Sequence, residues 1–334
     1  MKRSVIVTLF SFVVFDLTIA QVSIINQGVT PAEAKQWILF LASDEMRGRA
    51  NGSPEINIAA SWIMEKFREN NLQPLLNNGE FFQDYTFTSR QRTVNGRNVI
   101  GILPGTDPAL KDQYIVLSAH FDHIGIRSGA GSDSICNGAD DNASGICTLI
   151  GIASDMRKSG FKPGRSVIFA AFSGEEMGIR GSRYFVSNPP VPLKNIFVNI
   201  NFEMIGHSEL LGKDRYYMTG CSLSDLDNVI NEYNRQTKFL LVDTVSVASR
   251  LFYSSDNIAF SMISKTESTA TGIPSGTFAT TTMAPYIHTQ RDEASLFDFE
   301  NMARLINHFT DIVLFLSKYD KDIVWTTGAF KRPE

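Results

Sequence analysis

The 334-residue sequence contains few cysteines and little excess charge of either sign. With 3 cysteines, at most one intramolecular disulfide can form, so a small fold held together by disulfides is excluded. Lys and Arg number 31 against 35 Asp and Glu, which leaves a formal net charge of −4 at pH 7. A slightly acidic chain lacks the basic surface that attracts nucleic acid or an anionic membrane surface. We therefore expect no nucleic-acid partner.

The three cysteines, Cys136, Cys147 and Cys221, do not form a CxxC pair. This spacing argues against a structural zinc site built from thiolates. No positioned base accompanies them, so none is expected to act as a catalytic nucleophile. We expect them in core or loop positions, with one disulfide between two of them allowed.

The sequence also lacks an apolar run long enough to cross a bilayer, so no membrane span is expected. The most apolar segment near the start, residues 5–15, follows Lys2 and Arg3, and Ala20 then precedes Gln21. A basic start, a short apolar stretch and a small residue before a polar one are typical of a secretory signal peptide. We predict a signal peptide over residues 1–20, and hence a secreted or periplasmic protein.

The pattern of apolar residues predicts an α/β fold. Helices are expected from Thr30, from Ser53, over 146–156 and over 299–318, and strands are expected over 99–103, 114–119, 166–172 and 196–202. Continuous apolar strands that alternate with helices indicate a mostly parallel or mixed twisted central sheet with helices on both faces. No repeat, linker or break in composition occurs, so residues 21–334 are predicted to form a single domain without an insert.

Histidines and carboxylates follow three of the predicted strands, where ligands of α/β sheets bind. His120 and Asp122 follow the second strand, Glu175 and Glu176 the third, and Glu203 the fourth. An acidic turn over 138–145 and a loop with His288 complete the set of polar segments. Carboxylates at one sheet edge would repel each other, whereas carboxylate oxygen and imidazole nitrogen are ligands that zinc prefers. The number of acids indicates more than one metal ion.

Common alternatives lack their motifs in this sequence. No G-x-S-x-G occurs, which argues against an α/β serine hydrolase, and H-E-x-x-H of single-helix zinc proteases is absent. Neither a G-x-G-x-x-G turn between strand and helix nor a Walker-type loop is found, so the common nucleotide-binding folds are not indicated.

Five segments in order along the chain resemble the motifs of the secreted co-catalytic zinc aminopeptidases, a family related to glutamate carboxypeptidase II and glutaminyl cyclases. They are His120-Phe-Asp122, Gly138-Ala-Asp-Asp-Asn-Ala-Ser-Gly145, Phe172-Ser-Gly-Glu-Glu-Met-Gly178, Asn201-Phe-Glu-Met-Ile-Gly206 and Tyr286-Ile-His288. The resemblance extends upstream to Leu41-Ala-Ser-Asp-Glu-Met-Arg-Gly-Arg49 and Asn98-Val-Ile-Gly-Ile-Leu-Pro-Gly105. It implies a zinc exopeptidase fold.

The resemblance also implies two zinc ions per chain and five protein ligands. Asp141 would bridge the two ions. His120 and Glu203 would complete the ligands of one ion, and Glu176 and His288 those of the other. The family often has Asp at the position of Glu203, which keeps the oxygen donor on a side chain one methylene longer.

Two further residues are implied to take part in catalysis. Glu175 would be the general base, which takes a proton from the water between the metals and later gives it to the leaving amine. Asp122 would accept the second ring N–H of His120 and so fix its tautomer. The family often has Tyr at the position of Ile287, and the neighbouring Tyr286 either replaces it or only packs.

The remaining histidines match no motif position. We expect a solvated or packing role for His123, and structural roles for His207 and His308.

The function that these features predict is zinc-dependent hydrolysis of peptides or small amino-acyl substrates, as an aminopeptidase. The alternatives are a glutaminyl cyclase, a carboxypeptidase and a catalytically inactive binding module on the same fold. The Asp-Asp-Asn-Ala-Ser-Gly pattern argues against a cyclase, and the base Glu175 with all five implied ligands argues against an inactive module. The sequence gives no indication of side-chain preference or oligomeric state.

Overall fold

The computed structural model describes residues 28–76, 78–127, 133–221, 223–243, 248–262, 272–282 and 285–326. The predicted signal peptide therefore lies outside the described residues. Among the described helices, none is both long and apolar enough to cross a membrane.

The centre of the fold is a mixed β-sheet. The strands in chain order are β1 (Gln73–Pro74), β2 (Phe82–Ser89), β3 (Arg92–Leu103), β4 (Tyr114–His120), β5 (Gly125–Ile126), β6 (Ile135–Cys136), β7 (Ser166–Phe172), β8 (Ile196–Phe202), β9 (Arg215–Met218), β10 (Leu240–Val242) and β11 (Ser275–Ala279). Within the described ranges, nine of these form one sheet in the order β1-β3-β7-β4-β8-β11-β9-β10, with β2 also paired to β3, while β5 pairs with β6.

The four central strands of this sheet, β7, β4, β8 and β11, run parallel to one another. Their carboxyl ends therefore meet at one edge, where His120 lies beside Phe172 in the register of β4 and β7. On either side of this centre the pairing is antiparallel, between β3 and β7 and between β9 and β11. Nearly every residue of the four central strands is buried, as expected for strands covered on both faces.

Helices cover both faces of the sheet. They are α1 (Pro31–Leu41), α2 (Pro54–Glu69), α3 (Gly145–Ser159), α4 (Arg180–Ser187), α5 (Leu226–Asn234), α6 (Ala248–Ser254), α7 (Asn257–Ser261) and α8 (Phe299–Lys318). Ile115 and Leu117 of β4 point into a core shared with α1, α2, α3, α5 and α8. Val116, between them, points into a second core with α4, α6 and α7. This alternation follows the two-residue period of a strand.

The predicted fold class is confirmed, and α1 begins as its sequence predicts. The Thr30 side chain accepts the N–H of Glu33 at 3.2 Å, and the Glu33 carboxylate accepts the N–H of Thr30 at 2.9 Å. This reciprocal capping box, followed by Pro31, starts the helix. The sheet is larger than predicted. The predicted strand over 99–103 is the last part of β3, whereas β2, the first part of β3 and the strands β9 to β11 were not predicted.

The cysteines form no disulfide. Cys136, Cys147 and Cys221, all within the described residues, are free thiols, and the first two are buried. The disulfide that the sequence allowed is therefore not formed.

Candidate metal centre

Three side chains meet where β4 and β8 end. His120 is the last residue of β4, and Glu203 directly follows β8. His120 Nε2 lies 3.1 Å from Glu203 Oε1 and 3.3 Å from Asp141 Oδ1. These three buried residues form one group of metal-ligating atoms within 4.8 Å of one another.

A second group lies on the other side of Asp141. His288 Nε2 is 3.1 Å from Asp141 Oδ2 and 3.0 Å from Glu176 Oε1. His123 Nδ1 also lies 3.0 Å from Glu176 Oε1, and 3.7 Å from Asp141 Oδ2. The two carboxylate oxygens of Asp141 thus face different groups, which is the arrangement that a bridging ligand requires.

The structure therefore brings together all five residues named as ligands in the sequence analysis and adds His123. A packing or solvated role was expected for His123, but its side chain is fully buried against Glu176. One signal for this position existed in the sequence. His123 lies three residues after His120 at the end of the same strand, at the sheet edge where ligands bind.

Several polar atoms of this cluster have no hydrogen-bond partner among the described residues. They are Glu176 Oε1, Glu203 Oε2 and both ring nitrogens of His123. Burying a carboxylate oxygen without a partner is costly unless a cation compensates it. The donor set of imidazole nitrogens and carboxylate oxygens fits zinc.

The loop that carries Asp141 is held by a carboxylate from elsewhere in the chain. Asp292 accepts the main-chain N–H of Asp140 at 2.8 Å and that of Asp141 at 3.0 Å. Asp140 in turn accepts the N–H of Gly206 at 2.8 Å, beyond the end of β8. These bonds fix the acidic turn, a short helical segment over Ala139–Ser144, relative to the strand ends.

Asp122 positions the turn after β7. Its carboxylate accepts the N–H of Glu175 at 3.1 Å, the N–H of Glu176 at 3.2 Å and the amide of Asn51 at 2.6 Å.

The tautomer of His120 is set by the main chain of Asp122. The Nδ1–H of His120 donates to the main-chain oxygen of Asp122 at 3.1 Å, whereas the carboxylate of Asp122 lies 3.8 Å away. The expected orientation of the ring is therefore achieved through the main chain, because three other N–H groups already occupy the carboxylate. In this tautomer Nε2 of His120 carries no proton, and its lone pair points toward Asp141 and Glu203.

Glu175 lies beside the two groups without being part of either, and its side chain is 12% exposed. Its Oε2 lies 4.0 Å from His120 Nε2. Burial, together with the carboxylates of Glu203 and Glu176, raises the pKa of Glu175 well above its usual range, although His120 opposes the shift. A carboxyl group with a raised pKa is suited to both accepting and releasing a proton.

A cavity of about 240 Å³ opens onto this cluster. It is lined by Asp141, Glu175, Glu176, Glu203, Met204, Leu251, Ser254, Ile287 and His288. Met204, Leu251 and Ile287 form its apolar wall. Within the described part of the chain, no Lys or Arg lines this cavity.

Tyr286 points away from the cavity wall. Its ring stacks on His207 with the centroids 5.0 Å apart, while Ile287 lines the cavity. Tyr286 therefore packs against His207, and an isoleucine stands where the resembling family often has tyrosine.

Known proteins similar to this chain agree with the fold and the motifs. Leupeptin-inactivating enzyme 1 of Streptomyces exfoliatus is 34% identical over 122 residues, which cover 36% of this chain and 25% of that enzyme. Leucine aminopeptidase 1 of Trichophyton rubrum is 26% identical over 234 residues, which cover 67% of this chain and 58% of the relative. The chain thus matches only part of the length of these relatives.

Solved structures share the fold at low sequence identity. LapB of Legionella pneumophila is 20% identical with a TM-score of 0.64, and the match covers 88% of this chain and 74% of LapB. BSAP, a zinc aminopeptidase from Bacillus subtilis, is 15% identical with a TM-score of 0.62 over 85% of this chain and 94% of BSAP. Glutaminyl cyclase of Porphyromonas gingivalis is 16% identical, also with a TM-score of 0.62, over 85% of this chain and 97% of the cyclase.

The sequence model of peptidase family M28 matches residues 98–313, from the last part of β3 into α8. This range is well over half of the chain and contains every residue of the two candidate metal-binding groups. The chain belongs to peptidase family M28.

Proposed function

We propose that this protein is an aminopeptidase that binds two zinc ions and acts on peptides with a free amino terminus. The observation that supports two ions is the position of Asp141. One of its carboxylate oxygens lies 3.3 Å from His120 Nε2 and the other 3.1 Å from His288 Nε2. His120 and Glu203 would hold one ion with Asp141, and Glu176 and His288 would hold the other. When bound, the two ions supply Lewis acidity, which acidifies a water molecule and polarises the scissile carbonyl.

Glu175 moves the proton in this reaction. Its carboxylate takes a proton from the attacking water as the water oxygen bonds to the carbonyl carbon. It then delivers that proton to the amine nitrogen as the C–N bond breaks. Asp122 holds the main-chain N–H of Glu175 and so keeps the base at the metal cluster.

The cavity lining favours an amino terminus over a carboxyl terminus. Glu175, the lining carboxylate that belongs to neither metal-binding group, can accept a hydrogen bond from a substrate ammonium group. A carboxypeptidase needs a cationic partner for the terminal carboxylate, and neither Lys nor Arg is found among the described lining residues.

The size and polarity of the cavity favour an aliphatic N-terminal residue. A volume of about 240 Å³ with the wall of Met204, Leu251 and Ile287 suits one medium-sized apolar side chain. The name of the similar Trichophyton rubrum protein, leucine aminopeptidase 1, agrees with this choice.

A panel of peptides tests the proposal. The protein, first stripped of metal and then loaded with Zn²⁺, is given three forms of one peptide: Leu at a free amino terminus, the same terminus N-acetylated, and Gln at a free amino terminus. We expect release of free Leu from the first only, and no turnover by the stripped protein. Release of the C-terminal residue, cyclisation of the Gln peptide, or no reaction of the zinc-loaded protein with any peptide would each contradict the aminopeptidase assignment.

We further propose that residues 1–20 are removed on export and that residues 21–334 fold as one domain. The basic, apolar and small residues of the N-terminal segment support the first part. N-terminal sequencing of the protein recovered from a bacterial periplasm or medium is expected to begin at Gln21. A protein that stays in the cytoplasm with Lys2 retained would contradict export.

A further inference from the structure

We infer that His123 is a sixth protein ligand of the metal centre, and that it binds the same ion as Asp141, Glu176 and His288. This inference rests on the proposed zinc function. The resemblance to the zinc aminopeptidases does not include this position, and from the sequence alone we predicted a solvated or packing role for His123. The geometry of the ring nitrogen is what assigns the new role.

The distances around His123 are those of atoms that share one ion. Zinc bonds of about 2.0–2.1 Å in a tetrahedral site place neighbouring donor atoms about 3.3 Å apart. His123 Nδ1 lies 3.0 Å from Glu176 Oε1 and 3.7 Å from Asp141 Oδ2. His288 Nε2 lies 3.0 Å and 3.1 Å from the same two oxygens. The two imidazoles therefore approach the same carboxylate oxygens in the same way.

An ordinary hydrogen bond does not explain this contact. Despite the 3.0 Å separation, neither His123 Nδ1 nor Glu176 Oε1 has a hydrogen-bond partner among the residues that the structure describes. A buried imidazole that only packed would be expected to donate its N–H to this carboxylate. The ligand atoms of His123, Asp141, Glu176 and His288 instead lie within 4.8 Å of one another, which is the arrangement that a shared cation requires.

The backbone holds the His123 ring in this position. The N–H of His123 donates to the main-chain oxygen of Arg49 at 3.3 Å. Gly138 packs directly against the ring: a Cβ atom at this position would lie 2.5 Å from His123 Cγ. Gly138 also has a φ of +60°, which disfavours a side chain there. Any side chain at position 138 would therefore clash with the imidazole ring of His123, and glycine leaves room for the ring.

This assignment makes the two sites unequal. The site with His123 has four protein donors, two nitrogens and two oxygens, whereas His120, Asp141 and Glu203 provide three. Four protein ligands are typical of closed zinc sites, and three of sites that keep a position for water or substrate. We therefore expect the ion held by His123 to bind more tightly and exchange more slowly than the other.

Nuclear magnetic resonance of the wild-type protein tests the ligand directly. Protein labelled with ¹⁵N in its histidine rings is stripped of metal and loaded with ¹¹³Cd²⁺. We expect couplings to cadmium on three imidazoles, those of His120, His123 and His288. Couplings on only two imidazoles would overturn the proposal. This measurement needs no substitution, so a variant that fails to fold cannot affect it.

A substitution tests the effect on affinity. H123F keeps a ring in the buried space but has no donor, and H308F makes the same change in a buried histidine on α8, away from the cluster. Zn²⁺ affinity is measured by competition with a chromophoric chelator. We expect one of the two sites of H123F to weaken more than 100-fold, because losing a residue that only supports a ligand costs about 10–100-fold. H308F is expected to bind as the wild type does.

The other outcomes are equally decisive. Wild-type affinity at both sites of folded H123F, or a loss below 100-fold, would overturn the role of ligand. If H123F does not fold, H123N keeps a weaker donor near the place of Nδ1 and is expected to lower the affinity of the same site. Neither measurement depends on turnover. Three coupled imidazoles in a protein without peptidase activity would contradict the proposed function and leave the ligand assignment standing.

Discussion

The carboxylate of Asp292 accepts the main-chain N–H of Asp141 at 3.0 Å, and its second oxygen accepts the N–H of Asp140 at 2.8 Å. Asp292 comes from the loop after His288, 151 residues away from Asp141. The proposed bridging ligand thus depends on a buried acid that does not itself belong to either metal-binding group. Both carboxylate oxygens of Asp292 are needed to hold the turn, because the single oxygen of an asparagine amide at this position could accept only one of the two N–H groups.

Asp292→Asn is therefore expected to weaken metal binding without removing a ligand. The NH₂ group of Asn faces one of the two N–H donors and loosens the turn that carries Asp141. We expect zinc affinity to fall about 10–100-fold, the usual effect of losing a residue that orients a ligand. Chelator competition measures it. Asp225→Asn is the matched control, because Asp225 also accepts a main-chain N–H, from Val324 at 2.7 Å, and belongs to neither metal-binding group. Equal affinities in both variants would contradict the role of Asp292.

Glu175→Gln separates proton transfer from metal binding. The amide keeps the shape of the side chain but cannot accept a proton from water. We expect kcat on a leucyl peptide to fall about 10²–10⁴-fold, the usual contribution of general acid–base catalysis, while zinc content stays unchanged. Glu65→Gln on the exposed side of α2 serves as the control. Near-normal turnover of the Glu175→Gln variant would exclude Glu175 as the base.

Ile287 is expected to set the side-chain preference. It forms the apolar wall of the cavity with Met204 and Leu251. Ile287→Ala enlarges the cavity, so kcat/KM for leucyl relative to phenylalanyl substrates is expected to fall about 10-fold, since contacts of one methylene are worth about 10–200-fold. The ratio cancels changes in active-enzyme concentration, and Ile58→Ala, at an exposed isoleucine of α2, is the control. An unchanged ratio would place the side-chain pocket elsewhere.

The sequence predicted the parts of the site that lie at the ends of buried strands. The strands β4, β7 and β8 are mostly apolar because both faces are covered, so their ends, and the polar residues that follow, are visible in the sequence. This signal is weaker for His123 and absent for Asp292. His123 follows Asp122 directly and resembles a solvated residue until its burial is known, and Asp292 reaches the site only through tertiary folding.

The parts of the fold that were missed are those with weak patterns. The strand β2 and the first part of β3 are half exposed and rich in polar residues, so they lack the continuous apolar runs of the central strands. The strand β11 reads Ser-Gly-Thr-Phe-Ala, which is short and begins with Ser and Gly, although all five residues are buried. Position in the sheet, more than local preference, makes these segments strands.

Arg49 is expected to be important for stability. Its fully buried guanidinium group donates to the main-chain oxygens of Leu41, Phe121, Asn137 and Gly138. Burial lowers its pKa to about 10, so it stays charged at neutral pH.

A lysine cannot reach four carbonyl groups from one ammonium group, and each buried acceptor left unpaired costs about 1–3 kcal/mol. We expect Arg49→Lys to lower the free energy of unfolding by about 2–4 kcal/mol, measured by urea denaturation. Arg157→Lys, which affects a single bond from Arg157 to Asn70, is the control. A loss in Arg49→Lys no larger than in the control would contradict this role.

His308 is expected to make the protein sensitive to acid. Its ring is buried in α8, stacks on Phe239 with centroids 4.0 Å apart, and its Nε2–H donates to Asn234 at 2.9 Å. Burial lowers the pKa of His308 to about 4 from the usual 6.5. Between these two pH values the unfolded chain binds a proton that the folded protein does not. Folding stability therefore falls as the pH drops from about 6.5 to about 4, by up to about 3 kcal/mol.

His308→Phe removes this titration and keeps the stacked ring. It leaves the Asn234 oxygen without its donor, so at pH 7 we expect the variant to be about 1–3 kcal/mol less stable than the wild type. The difference is then expected to shrink as the pH falls toward 4, because only the wild type loses stability through position 308. Urea denaturation of both proteins, stripped of metal, between pH 4 and 7 measures the difference, and every other titrating group affects both proteins alike. A difference that stays constant over this range would show that His308 titrates no differently in the folded and unfolded states.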